Sequence, residues 1–201
     1  SKAVTAPLSL IVSAFAPVTD VRQSVTPQLR PDIDGALLLI DLGAGRSRLG
    51  GSALAQAWGQ IGETVPDLDD PSLLAAFFEA VQSCLNDGLL LAYHDRSDGG
   101  LFATVAEMAF AGHCGVDIDI TTLGADPLAA LFSEELGAVV QVRRQDEAEV
   151  RARLEAAGLG PLTHSIGRAT SGDTFRVTGG GADCYLGSRV ELHRTWAELS
   201  H

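Results

Sequence analysis

Residues Leu89 to Gly115 read LLLAYHDRSDGGLFATVAEMAFAGHCG. Leu89 to Tyr93 is an apolar run of strand length, and His94-Asp95-Arg96-Ser97-Asp98-Gly99-Gly100 is a polar turn closed by two glycines. A helix follows to about Ala111, ended by Gly112 and Gly115. This strand–loop–helix unit predicts a sheet with a helix laid against it.

Working outward from that unit, strands and helices alternate early in the chain and strands cluster late. Leu8 to Phe15 (LSLIVSAF) reads as a strand, Thr19 to Asp34 as a loop, and Ala36 to Leu42 (ALLLIDL) as a strand covered on both faces. Gly43 to Gly51 is a glycine-rich connection, and Ser52 to Gln60 looks helical with Leu54, Ala55 and Trp58 on one side. Pro71 opens a helix to about Asn86, stopped by Gly88. Val116 to Ile120 and Ala138 to Val142 are further strands, with a short helix at Pro127 to Phe132 between them. Asp146 to Ala157 is a polar-faced helix closed by Gly158. Ser165 to Ala169, Thr174 to Val177 and Cys184 to Leu186 are short strands, and a last helix begins near Ser188. The expected fold class is α+β, a mixed β-sheet covered by helices, with residues 1–201 forming a single domain.

The 201 residues carry a net charge of −12, and an acidic body of that kind repels a phosphate backbone, so no nucleic-acid partner is expected. Hydrophobic residues make up 46% of the chain and charged ones 20%, which suits a packed core rather than disorder. No run is long and apolar enough for a membrane span, and no secretory signal is visible. Cys84, Cys114 and Cys184 show no CxxC pairing, which suggests reduced thiols and a cytoplasmic location. The single Met is Met108, so the chain is expected to be a fragment of a larger multidomain protein.

Three segments could carry chemistry. In the 94–100 turn, a helix N-terminus approached through Gly99 and Gly100 is an anion site, but Asp95 and Asp98 repel a bare phosphate. A hard cation between them resolves the conflict, because Mg²⁺ uses one or two carboxylates plus phosphate oxygens. Asp95 is then a metal ligand, and Ser97 offers a hydroxyl or backbone N–H to a nucleotide. The alternative is that Ser97 or Asp98 caps the helix while Arg96 pairs with a neighbouring carboxylate. In Asp41 to Ser52, Gly45 to Ser52 nearly spells a P-loop, but Gly51 stands where Lys is required, and Arg48 stands where a dinucleotide fingerprint needs its third glycine. What is left is a glycine-rich turn whose arginines either meet a phosphate or lie solvated. In Phe132-Ser133-Glu134-Glu135-Leu136-Gly137, the paired acids either bind a cation or receive a proton, or are surface charges. The histidines and cysteines fall into no zinc spacing, and no catalytic residue is assigned.

The run from Tyr93 to Gly115, with Leu49 to Gln56, Phe132 to Gly137 and Val18 to Arg22, resembles the large single-chain phosphoribosylformylglycinamidine synthases. Within them it is similar to the second C-terminal-type domain, which has the aminoimidazole-ribonucleotide-synthetase-like fold. The resemblance implies a parent ligase of purine biosynthesis that uses ATP and glutamine-derived ammonia to convert formylglycinamide ribonucleotide into its amidine. It implies Asp95 as a Mg²⁺ ligand, Ser97 as a nucleotide contact with Gly99 and Gly100 beside it, and a site that holds ATP or ADP. The partners implied are the N-terminal-type synthetase domains and the glutaminase domain, without which the isolated chain is expected to be inactive. Apolar faces that meet those domains could also drive self-association. The alternative is a non-catalytic packing module of the same or a related ATP-dependent enzyme.

Overall fold

The computed structural model describes residues 12–18 and 20–198. Seven strands, β1 (Gly35–Asp41), β2 (Leu90–Asp95), β3 (Gly115–Asp119), β4 (Gly137–Arg143), β5 (Thr163–Thr170), β6 (Thr174–Gly179) and β7 (Ala182–Ser188), form one sheet in the order β2-β4-β1-β5-β3-β6-β7. Every pairing is antiparallel except β3 with β6. The helices are α1 (Ala53–Ala57), α2 (Pro71–Asn86), α3 (Gly100–Gly112), α4 (Pro127–Phe132), α5 (Glu147–Ala156) and α6 (Arg189–Glu198). The α+β class and the mixed sheet are therefore as the sequence predicts.

Strand β1 is buried at all seven positions because its two faces meet different cores. Leu37 and Leu39 join Ala92, Leu101, Val105, Met108, Val116, Ile118 and Phe175 on the side of α3 and α4. Ala36, Leu38 and Ile40 join Phe77, Val81, Cys84, Val140, Val150 and Leu154 on the side of α2 and α5. A nearly continuous apolar strand is the expected outcome of cover on both faces. The second layer does not extend over the whole sheet: in β3 the buried Val116 and Ile118 alternate with Asp117 and Asp119, and Asp117 lies opposite Arg168 on one side and Arg176 on the other. That alternation marks a sheet face turned to a polar surrounding.

Helix boundaries follow local chemistry. Asp70 caps α2 by accepting from Ser72 N–H, with Pro71 at the first helical position. Asp126 caps α4 in the same way through Leu128 and Ala129 N–H. α3 ends at His113, whose left-handed φ of 49° is one of three positive values among the described non-glycine residues. The proposed strand at Leu8 to Phe15 falls partly outside the described residues, and Val12 to Phe15 are exposed and not in a strand. The helix read at Ser52 to Gln60 is shorter, five residues with Ser52 as its cap. No helix among the described residues is long and apolar enough to cross a membrane.

Candidate functional site

The three segments singled out in the sequence converge. The loop after β2, the loop after β1 and the segment between α4 and β4 are tied together by buried polar contacts. Arg96 is buried, accepts its place through Arg96 N–H donating to the Gly137 carbonyl at 2.9 Å, and donates from Nε to the Glu135 carbonyl and from Nη2 to the Leu136 carbonyl and the Asp41 carboxylate. Asp41 in turn accepts from the N–H groups of Gly43 and Gly45, which folds the glycine-rich turn back on the end of β1. Arg96 therefore pairs with a carboxylate, as the sequence suggested, and the partner is Asp41.

Arg46 and Arg48 do not stand free. Glu135, only 1% exposed, accepts from Arg48 N–H at 3.0 Å, Nε at 2.6 Å and Nη2 at 2.7 Å, and Arg46 and Arg48 both meet Asp69. The Glu135 carboxylate raises the Arg48 guanidinium above its ordinary range, and Arg48 holds Asp69 below the ordinary carboxylate value. The 41–52 turn is thus internally neutralised and presents no spare cation to a phosphate. Glu135 is a buried ion-pair partner rather than a surface charge. Glu134 is different: its Oε1 accepts from Gly99 N–H and from Ala53 N–H, both at 2.8 Å.

The 94–100 loop emerges from this cluster. Gly100 N–H donates to the Ser97 carbonyl, closing the turn, and Gly99 is the N-terminal cap of α3 at φ 82° with no side chain capping the helix. So neither Ser97 nor Asp98 caps α3, and both are exposed. Asp95 is exposed at the end of β2, where its Oδ1 accepts from Tyr93 Oη at 2.5 Å. Burial first, and the Asp95 carboxylate second, push the Tyr93 phenol well above its ordinary value, so the phenol remains a donor. His94 is half-buried, with Nδ1 on the Asp95 carbonyl and Nε2 on Glu107.

The glycines have a packing reason. Gly100 sits at φ 66°, and a Cβ there would lie 2.7 Å from the carbonyl oxygens of Leu131 and Ser133. A Cβ on Gly99 would lie 2.6 Å from Ala103 Cβ. Ser133 is fully buried and its hydroxyl has no partner among the described residues. A buried hydroxyl without a partner costs stability, so Ser133→Ala is expected to be neutral or to raise the unfolding free energy by up to about 1 kcal/mol, read from urea denaturation.

His164 on β5 lies opposite Leu39 of β1. Burial lowers its value below the ordinary one, against an opposing pull from the Asp41 charge. The unfolded chain then binds this proton first on acidification, so the stability it contributes is present above about pH 6.5 and is lost as pH falls. His164→Gln is expected to flatten the fall in the urea midpoint between pH 7.5 and 5.5; a slope equal to that of the unsubstituted chain would exclude His164 as its source.

The residues present suit a hard divalent cation. Asp95 offers a carboxylate whose Oδ2 makes no hydrogen bond among those described, next to the exposed Ser97 hydroxyl, and all these donors are oxygens. No group of three or more His, Cys, Asp or Glu side chains among the described residues could hold a metal alone. A Mg²⁺ that takes one carboxylate here and completes its shell with phosphate oxygens and water is compatible with that count. Leu54, Trp58, Leu128 and Phe132 line an open apolar groove of about 580 Å³ between α1 and α4.

The fold is shared with several known structures. The chain is similar to Thermotoga maritima PurL complexed with ATP, with a TM-score of 0.66 at 15% identity over 86% of this chain and 27% of that one. Phosphoribosylformylglycinamidine synthase II of Thermotoga maritima matches with a TM-score of 0.65 at 15% identity, over 84% and 27%. Escherichia coli HypE, a hydrogenase maturation protein, matches with a TM-score of 0.56 at 21% identity, over 82% and 52%. The chain thus spans about a quarter of the length of the Thermotoga proteins and about half that of HypE. Residues 35–180, which run from the first strand of the sheet to the turn after β6, match the family model "AIR synthase related protein, C-terminal domain", and the chain belongs to that family.

Proposed function

We propose that this chain is a domain of a phosphoribosylformylglycinamidine synthase and contributes part of a Mg²⁺–nucleotide site. Asp95 is the metal ligand, Ser97 the nucleotide contact, and Gly99 and Gly100 the bare backbone beside the phosphates. The parent reaction is the ATP- and glutamine-dependent conversion of formylglycinamide ribonucleotide to its amidine. The observation that carries the reading is the placement of Asp95: an exposed carboxylate at a strand end, two residues before an exposed serine, on a loop whose His94 and Arg96 are engaged by the fold. Likeness to proteins described with ATP, ADP and formylglycinamide ribonucleotide supports it.

The remaining domains of the parent are the proposed partners, both the synthetase domains and the glutaminase domain. The groove between α1 and α4 supports an interface with one of them, because Trp58 and Leu128 are more than half exposed on an otherwise acidic surface. Magnesium supplies charge neutralisation for the phosphates when bound. This chain's residues hold the metal and orient the nucleotide, and Tyr93, donating to Oδ1, fixes one oxygen of the exposed Asp95 carboxylate and leaves Oδ2 for the metal.

In the intact protein, Asp95→Asn is expected to weaken Mg²⁺·ADP binding by at least about 10-fold in titration calorimetry, while the urea midpoint stays near that of the unsubstituted protein. A second reading, a packing module without a ligand role, is favoured by the use of Arg96, Gly99 and Gly100 in the fold itself. It requires the opposite result, unchanged metal–nucleotide affinity with altered stability or assembly.

A further inference from the structure

The loop that presents Asp95 and Ser97 is held at two points. At residue 96, the buried Arg96 side chain is fastened to Asp41 and to the carbonyls of Glu135 and Leu136. At residue 99, the backbone N–H is fastened to Glu134 Oε1. Between these anchors lie only Ser97 and Asp98, both exposed. The second anchor is unusual in what else it does. The same carboxylate oxygen takes the N–H of Ala53, the first residue of α1. One side chain thereby joins the cap of α3 to the start of α1, two segments 46 residues apart whose own backbones share no hydrogen bond.

Conformation makes this contact a demanding one. Gly99 is in the left-handed region, so its N–H direction is set by a conformation available to few residues. A side-chain oxygen of this kind has two lone pairs, so the one atom can accept both N–H groups at once. Glu134 is half-buried between two buried neighbours, Ser133 in the core and Glu135 in the Arg48 pair, which hold the backbone on either side of it.

We propose that Glu134 is a positioning residue for the metal–nucleotide loop: its carboxylate fixes the Gly99 backbone and so sets where Ser97 and the end of β2 stand relative to α1. The inference rests on the reading of Asp95 and Ser97 given above. What Glu134 supplies is an acceptor atom in the right place; it is not itself a ligand.

The test uses the intact protein with Mg²⁺·ADP as probe, titrated at a temperature where every variant is folded by circular dichroism, and hydrogen exchange read at Gly99 and Ala53. Glu134→Ala is expected to weaken binding by about 10-fold or more and to speed exchange of both amides. Glu134→Gln keeps a carbonyl acceptor at the same reach and is expected to stay within about threefold of the unsubstituted protein, with both amides slow. A Glu134→Ala variant that binds unchanged although both amides exchange fast would overturn the inference. So would a Glu134→Gln variant as weak as Glu134→Ala, because the charge would then matter rather than the acceptor. Asp95→Asn separates the levels: loss there without loss in Glu134→Ala removes only the positioning role, whereas no loss in Asp95→Asn removes the site and this inference with it.

Discussion

Arg96→Ala is expected to lower the unfolding free energy by about 3–5 kcal/mol, the range for stripping one partner from a buried ion pair. The guanidinium is 4% exposed and serves three acceptors from two segments, the Asp41 carboxylate at the end of β1 and the adjacent Glu135 and Leu136 carbonyls. Its loss strands a carboxylate on the end of β1, an interior strand, and leaves two carbonyls without their donor. Asp41 retains the N–H groups of Gly43 and Gly45, which limits the penalty. Removing both charges with Asp41→Asn and Arg96→Met should therefore recover part of the loss, since no buried charge is left alone. Urea denaturation of the two singles and the double checks this. A single-variant loss below about 1 kcal/mol would mean that the pair is solvated as surface pairs are.

Gly100→Ala is expected to cost about 2–5 kcal/mol, from two sources that add. An L-residue in the left-handed region pays roughly 1–2 kcal/mol. The new methyl also lies 2.7 Å from two carbonyl oxygens at the end of α4, and overpacking of this kind costs typically 1–3 kcal/mol. The neighbouring Gly99→Ala meets only the Cβ of Ala103 as side chain, so it should cost less through packing. If both variants prove equally and mildly destabilised, α4 moves freely against α3 and the packing reason for Gly100 fails. Thermal melts of the two variants side by side decide it.

Much of the architecture is legible in the sequence because its periodicities are unmixed. Ala36 to Ile40 has no polar residue and can only be a strand with two covers; Pro71 and Gly88 bracket a helix whose apolar face is plain. The order of the strands is another matter. β4 inserts between β1 and β2, and β6 runs parallel to β3, through pairings between distant segments that no local pattern records. The candidate site divides in the same way. Asp95 and Ser97 are readable because a glycine-closed acidic turn at a helix start is chemically conspicuous. Glu134 and Glu135 are visible as a pair, but their fates are opposite, one in a buried bridge to Arg48 and the other across two helix starts. Adjacent residues before a strand point in different directions, and their partners, Arg48 for one and the Gly99 and Ala53 amides for the other, lie far away in sequence. The glycines 99 and 100 read as room for a ligand, yet their missing side chains are already required by Ala103 and by the end of α4.

Anomalous scattering from crystals of the intact protein grown with Mn²⁺ and ADP asks about the central claim most directly. A manganese peak about 2.0–2.3 Å from an Asp95 carboxylate oxygen, sharing a phosphate oxygen with a nucleotide that reaches Ser97, is the expected result. Metal and nucleotide bound elsewhere, with Asp95 touching only the Tyr93 hydroxyl, would contradict it.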